Sequence, residues 1–95
     1  MDVNKAKKVI EKMERTFSSH KFIKEYAFQN QKEYIEALQE KVQSGSPFEI
    51  VHQQIGRFLL DNAEELHIKH IGDEKSENIF RHKNMVAKLE NLNAQ

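Results

Sequence analysis

The chain has 95 residues, of which 38% are hydrophobic and 32% charged, so it can bury the core of one modest domain, which we expect to span residues 1–95. Fifteen basic side chains balance fifteen acidic ones, and this neutrality argues against a dedicated nucleic-acid or membrane-surface protein. The absence of cysteine excludes disulfides and thiolate chemistry and is typical of a reducing compartment. No apolar run approaches the length of a membrane span, and we therefore expect a cytoplasmic protein.

The first predicted helix covers about residues 3–17, with Asp2 as its N-cap. Apolar side chains recur on one face of this stretch, while its lysines point elsewhere. A second helix is predicted to follow at once, because Ser18 or Ser19 can accept a hydrogen bond from its first turn.

The pattern allows two interpretations of the boundary between the second and third predicted helices. Asn30 and Glu33 have the spacing of a capping box, which would end one helix and begin the next. No glycine or proline separates the two, so a single long helix is the alternative. Gly45 is well placed to end the third helix, and the short joint that follows makes the third and fourth helices antiparallel neighbours.

The strongest helix signal covers about residues 47–66. Ser46 and Glu49 form a capping box with Pro47 at the first helical position. Apolar residues follow on one face, and Asn62 falls near the centre of that face, where its amide must find a partner. The partner would be a backbone carbonyl or a tyrosine of the same chain, or the same asparagine of a symmetric second copy.

The C-terminal third of the sequence is less regular. The helical period fades after Leu66, residues 72–76 are predicted to form an exposed loop, and a last helix is predicted over about residues 84–92. The sequence therefore predicts an all-α fold, a compact bundle of four to five helices with the long helix 47–66 at its centre.

The chain contains no motif typical of a catalytic site or a phosphate-binding loop, so we expect no enzymatic activity, no catalytic residue and no cofactor. Glu64, His67 and His70 are weak metal candidates, because a continued helix would bring them together and imidazole with carboxylate suits zinc or nickel. The simpler interpretation is a pair of surface histidines near a helix C-terminus, where a positive charge is favourable.

Two features of the long helix favour contact with another protein. Ile50 and Leu60 lie opposite its main apolar face, and Gly56 would let a neighbouring backbone approach, although helices of the same chain could also cover both flanks. We therefore predict a small non-enzymatic accessory protein that acts through a helix face, with a protein partner or a second copy in a homodimer. The predicted partner-binding residues are Ile50, Gln53, Gln54, Arg57 and Leu60.

Two alternative functions remain open at this point. A nucleic-acid-associated accessory factor is suggested by Gln53, Gln54 and Arg57, whose side chains can read base edges, and by residues 1–24, which hold seven basic and three acidic side chains. Carboxylates next to the glutamines would repel phosphates and argue against it. The second alternative is a metal-binding module that uses the three weak metal candidates.

Overall fold

A computed structural model describes residues 1–93, so residues 94 and 95 of the predicted domain lie outside the described residues. Within that range the helices are α1 (Val3–Ile10), α2 (Ser19–Gln29), α3 (Gln31–Glu40), α4 (Pro47–Asp61) and α5 (Ala63–Leu66), and the strands are β1 (Thr16–Ser18), β2 (Ile68–Glu77) and β3 (Lys83–Asn91). Helices pack beside a three-stranded antiparallel sheet, and the fold is α+β. The predicted all-α helical bundle is therefore wrong.

Helix α1 begins as predicted but ends early. The carboxylate of Asp2 accepts a hydrogen bond from the amide of Asn4 at 2.7 Å, as an N-cap should. The helix stops at Ile10, and Phe17, which was predicted to end it, lies instead in β1, opposite Leu89 of β3. Strand β1 forms because residues 88–90 of β3 pair with it. The helical spacing of nearby apolar residues cannot indicate a partner so distant in the sequence.

The second and third predicted helices are two separate helices, α2 and α3, and not the single long helix that was the alternative. Ser18 caps α2, accepting from the amide of Lys21 at 3.2 Å. The break lies at Asn30, whose backbone leaves the helical region, although its side chain makes no capping bond to α3. Gly45 ends the short 3₁₀ turn after α3 with φ of 82°, a conformation that glycine adopts without strain.

The long predicted helix is shorter than expected. Helix α4 starts at Pro47, but Ser46 makes no side-chain capping bond, so the predicted capping box does not form. The helix ends at Asp61, and the Asn62 amide donates to the backbone carbonyl of Phe58 at 2.9 Å, which is one of the partners considered for it. The separate short helix α5 follows, and His67, with φ of 54°, turns the chain into β2.

The C-terminal third forms a long β-hairpin where a loop and a helix were predicted. The sheet has the order β1-β3-β2, and β2 pairs with β3 over its whole length, with a bulge between His70 and Gly72. Most of β2 is exposed, so it lacks the alternation of apolar and polar residues that identifies a half-buried strand. In β3, Val86 and Leu89 also satisfy a helical spacing, which explains the wrong prediction there.

The core lies between the helices and the base of this hairpin. Its largest fully buried side chains are Phe22, Ile10, Leu59, Leu66, Leu89 and Val9. Asn91 is buried among them and donates from Nδ2 to the carbonyls of Ile10 at 3.1 Å and Met13 at 3.3 Å, which ties β3 to the end of α1. Among residues 1–93, no helix combines the length and apolar character needed to cross a membrane.

Candidate functional site

A groove with a volume of about 850 Å³ lies between the hairpin, the start of α2 and one side of α4. We call it the hairpin groove. Ser19 and His20 of α2 line one part of it, and residues 84–87 of β3 line another. The α4 side chains and glycine in the groove recur every three or four positions, so they share one face of that helix: Glu49, His52, Gln53, Gly56, Arg57 and Leu60.

The β3 side of the groove is the edge of a strand. Strand β1 pairs only with residues 88–90, so in the part of the chain that the structure describes, residues 83–87 have a partner strand only on the β2 side. Four consecutive residues, 84–87, line the groove. Because successive side chains of a strand point to opposite faces, four in a row can line one groove only when it faces the strand edge.

The hairpin is held over the groove at two points. Close to the end of β2, the hydroxyls of Ser18 and Ser76 are 3.0 Å apart, which links β2 to the start of α2. At its tip, the rings of Phe80 and Phe48 meet edge to face, with centroids 4.9 Å apart. These two contacts fix the distance between the β3 edge and α4.

The connection between β2 and β3 is an ordered turn that positions Phe80. The side-chain oxygen of Asn78 accepts from the amides of Phe80 at 2.9 Å and His82 at 3.0 Å. Arg81 has φ of 65°, a left-handed conformation that closes the turn. Phe80 is therefore presented by a rigid loop at one end of the groove.

A tyrosine–histidine pair lies beside the groove, which His52 lines. The hydroxyl of Tyr34 and Nε2 of His52 are 2.6 Å apart, and their rings stack with centroids at 5.9 Å. Burial, followed by the nearby His20, lowers the pKa of His52 below its ordinary 6.5. The lowered pKa favours the uncharged imidazole, and the tautomer of that ring decides which of the two groups donates.

This pair supports binding better than covalent chemistry. Burial raises the pKa of Tyr34 above its ordinary value of 10, which disfavours the tyrosinate nucleophile. Nδ1 of His20 is enclosed and has no hydrogen-bond partner within residues 1–93. The arrangement supplies fixed hydrogen-bonding groups and an aromatic surface, and we assign it no reaction.

Gly56 opens the middle of the groove. The sequence suggested that this glycine lets another backbone approach α4, yet a Cβ built on it meets no atom within 4 Å. The residue instead keeps space open beside the helix, and larger side chains at this position would enter the groove.

The predicted partner-binding residues are divided between two surfaces. Gln53, Arg57 and Leu60 line the hairpin groove. Ile50 and Gln54 lie on the outer side of α4, where they line a shallow depression of about 580 Å³ with Gln53 and Arg57.

The structure does not bring the weak metal candidates together. Glu64 lies on α5, His67 ends that helix, and His70 lies on β2, where its Nε2 is 3.2 Å from a carboxylate oxygen of Asp73. Within residues 1–93, no three histidine, cysteine, aspartate or glutamate side chains are close enough to hold a metal ion. The continued helix that would have aligned the three candidates ends at Leu66.

Sequence reasoning missed half of the groove. His20, Phe80 and residues 84–87 were not predicted as site residues, because their proximity depends on the hairpin folding over α2. A weak local signal existed, since Ala87 and Leu89 alternate with Lys88 and Glu90 as in a strand. Comparison of the chain with protein-family models, curated proteins and solved structures found no match.

Proposed function

We propose that this protein is a non-enzymatic protein–protein interaction module that binds one extended segment of a partner protein in the hairpin groove, as a strand added to β3. The unpaired edge at residues 83–87, which faces the groove, carries this proposal. We further propose that it acts in the cytoplasm, which the cysteine-free sequence supports.

The backbone of β3 provides the main binding groups. In an antiparallel sheet every second residue directs its N–H and C=O to the same side, so the free edge offers unpaired donors and acceptors in a regular row. At about 3.3 Å per residue, five residues give an edge about 16 Å long. Strand addition of this kind obtains affinity from main-chain hydrogen bonds and specificity from side-chain contacts.

Helix α4 makes a single strand a better occupant than a second sheet. The helix lies opposite the free edge, and the Phe48–Phe80 contact fixes the end of the space between them. An incoming strand would contact β3 on one side and the Gly56 face of α4 on the other. A free edge otherwise invites aggregation, and shielding by a neighbouring helix restricts it to narrow partners.

The test uses a phage-displayed library of random short peptides as the probe. Peptides enriched on the wild-type protein are measured against Gly56→Trp, which fills the groove, and Gly56→Ala, which adds only a methyl group and improves helix propensity by about 1 kcal/mol. We expect binding to weaken by at least about tenfold in the tryptophan variant and to be retained in the alanine variant. Amide resonances of residues 84–87 should shift on binding.

Three outcomes would contradict strand addition. The first is that no enriched peptide depends on Gly56. The second is that shifts appear at Ile50 and Gln54 and leave β3 unchanged, which would favour the outer face of α4. The third is a wild-type dimer in native mass spectrometry that Gly56→Trp dissociates, which would make a second copy the occupant. Thermal unfolding of both variants checks that the fold is retained.

A further inference from the structure

A second cavity of about 530 Å³ lies between the start of α1, α2, α3 and α4. We call it the Tyr26 pocket. Its apolar part is made of side chains that belong to the core or pack on it, namely Tyr26, Tyr34, Ala37, Val51, Ile55 and Phe58. Tyr34 connects the two cavities, since its side chain lines this pocket and its hydroxyl contacts His52 of the hairpin groove.

Charged residues around the Tyr26 pocket are mostly acidic. Four carboxylate side chains line it, from Asp2, Glu33, Glu36 and Glu40, against two positive groups, the ammonium of Lys5 and the amino group of Met1. Lys5 is already 3.4 Å from Glu33. Glu36 and Glu40 form no ion pair within residues 1–93, which leaves two carboxylates available at the rim.

Tyr26 offers its hydroxyl to a ligand in this pocket. Its side chain is only 6% exposed and lines the pocket, yet its hydroxyl makes no hydrogen bond to any group within residues 1–93. Burial, followed by the charges of Glu33 and Asp2, raises the pKa of this hydroxyl. A largely buried tyrosine thus presents an accessible hydroxyl to the pocket in a negative field, where a cationic donor can bind it.

We propose that the Tyr26 pocket binds an organic cation, a primary ammonium group carried on an apolar stem. The stem would contact Val51, Ile55 and Phe58, and the ammonium would donate to the Tyr26 hydroxyl and to the carboxylate of Glu36. The volume is within the range of small-molecule sites. A bare metal ion is a poorer fit, because no three carboxylate or imidazole side chains within residues 1–93 are close enough to hold one.

The first experiment is a titration of the isotope-labelled full chain with n-hexylammonium, followed by NMR. We expect saturable shifts at Tyr26, Val51 and Ile55. Two probes with the same stem are the matched controls: hexanol, which has no charge, should bind at least about tenfold more weakly, and hexanoate, which is negative, should not bind. Equal shifts from all three probes would overturn the proposal, because the site would then be only an apolar crevice.

Variants assign the effect to particular groups. Tyr26→Phe removes the hydroxyl and keeps the ring, and Glu36→Gln removes one rim charge; each should weaken n-hexylammonium binding by at least about threefold. Glu49→Gln, on the groove side of α4, is the control and should leave binding unchanged. Tyr26→Phe should also keep or raise thermal stability, since the lost hydroxyl has no protein partner. Unchanged affinity in both pocket variants would contradict the assignment.

A further probe identifies the source of the cation. Nα-acetyl-lysine methylamide presents the same ammonium on a peptide backbone, as a lysine of a partner protein would. Binding of both probes indicates that a protein lysine fits, whereas binding of n-hexylammonium alone indicates a free amine. Failure of both overturns the proposal. Gly56→Trp should not alter any of these affinities, so failure here is separable from failure of strand addition.

Discussion

The hairpin groove and the Tyr26 pocket are joined by the Tyr34–His52 contact but offer opposite kinds of recognition. The groove is lined by the free backbone edge of β3 and by side chains with little net charge, so its binding groups are mainly N–H and C=O. The pocket is lined by helices whose backbone groups are already paired, so its binding groups are side chains and mainly carboxylates. A partner of the hairpin groove is therefore selected by shape, and a ligand of the Tyr26 pocket by charge.

The two cavities also depend on different parts of the chain. The groove exists only when β3 is held over α2 and α4, whereas the pocket needs the packing of α1 to α4. Changes at the base of the hairpin should therefore affect the groove more strongly than the pocket. The predictions below use that difference, beginning with the largest effect.

Leu89→Ala should destabilise the hairpin base most. Leu89 is fully buried and lies between Phe17 of β1 and His70 of β2 in the sheet. Truncation leaves a cavity in the core, and we expect the free energy of unfolding to fall by about 3 kcal/mol. Urea unfolding measures the loss, and hydrogen exchange should accelerate in β3 more than in α3 because the groove side loosens first.

Met85→Ala is the control on the same strand. This side chain is 67% exposed, so its truncation should change the free energy of unfolding by less than about 0.5 kcal/mol. Equal losses for the two variants would mean that the base of the hairpin does not stabilise the fold as described.

Asn91→Ala should lower the free energy of unfolding by less than Leu89→Ala does, and it should also weaken binding in the Tyr26 pocket. Its amide bridges the carbonyls of Ile10 and Met13, and removal leaves both without this donor, at a cost of about 2 kcal/mol. Because α1 carries Asp2 and Lys5 of the pocket, n-hexylammonium binding should weaken in this variant as well. Asn84→Ala, an exposed amide of β3, should leave stability and n-hexylammonium binding nearly unchanged.

Much of the helical part could be predicted from sequence, for local reasons. Capping by Asp2 and Ser18, the break at Asn30 and the glycine turn at Gly45 all depend on neighbours within a few residues. The end of α4 was harder, because Asn62 interrupts the helix by bonding back to its own preceding turn, and the apolar period continues beyond it to Leu66.

The hairpin could not be predicted in the same way. Strand β2 is exposed and highly charged, so no alternating apolar pattern marks it, and β1 has only three residues. Both strands depend on pairing with β3, a contact that no local window contains. The candidate site follows this division: Gln53, Arg57 and Leu60 were predicted as a surface of α4, whereas the β3 edge opposite them was not.

The smallest predicted effect is the pH dependence of stability, which has opposite signs at the two cavities. His52 has a folded-state pKa below 6.5, so the unfolded chain binds more protons as the pH falls through that value. The stability that the neutral His52 contributes is present above about pH 6.5 and is lost on acidification. His52→Gln should therefore flatten the fall in unfolding free energy between about pH 7 and pH 5.

At alkaline pH, the stability that Tyr26 of the Tyr26 pocket contributes should be lost instead. Tyr26 has a folded-state pKa above 10, so above that pH the unfolded chain loses its tyrosine proton first and the free energy of unfolding falls as pH rises. Tyr26→Phe removes this contribution, whereas His52→Gln should not. Urea unfolding of both variants across the pH range measures the loss of stability on the acid side and on the alkaline side. If Tyr26→Phe changed only the loss on the acid side, the negative field assigned to the Tyr26 pocket would be wrong, and with it the preference of that pocket for cations.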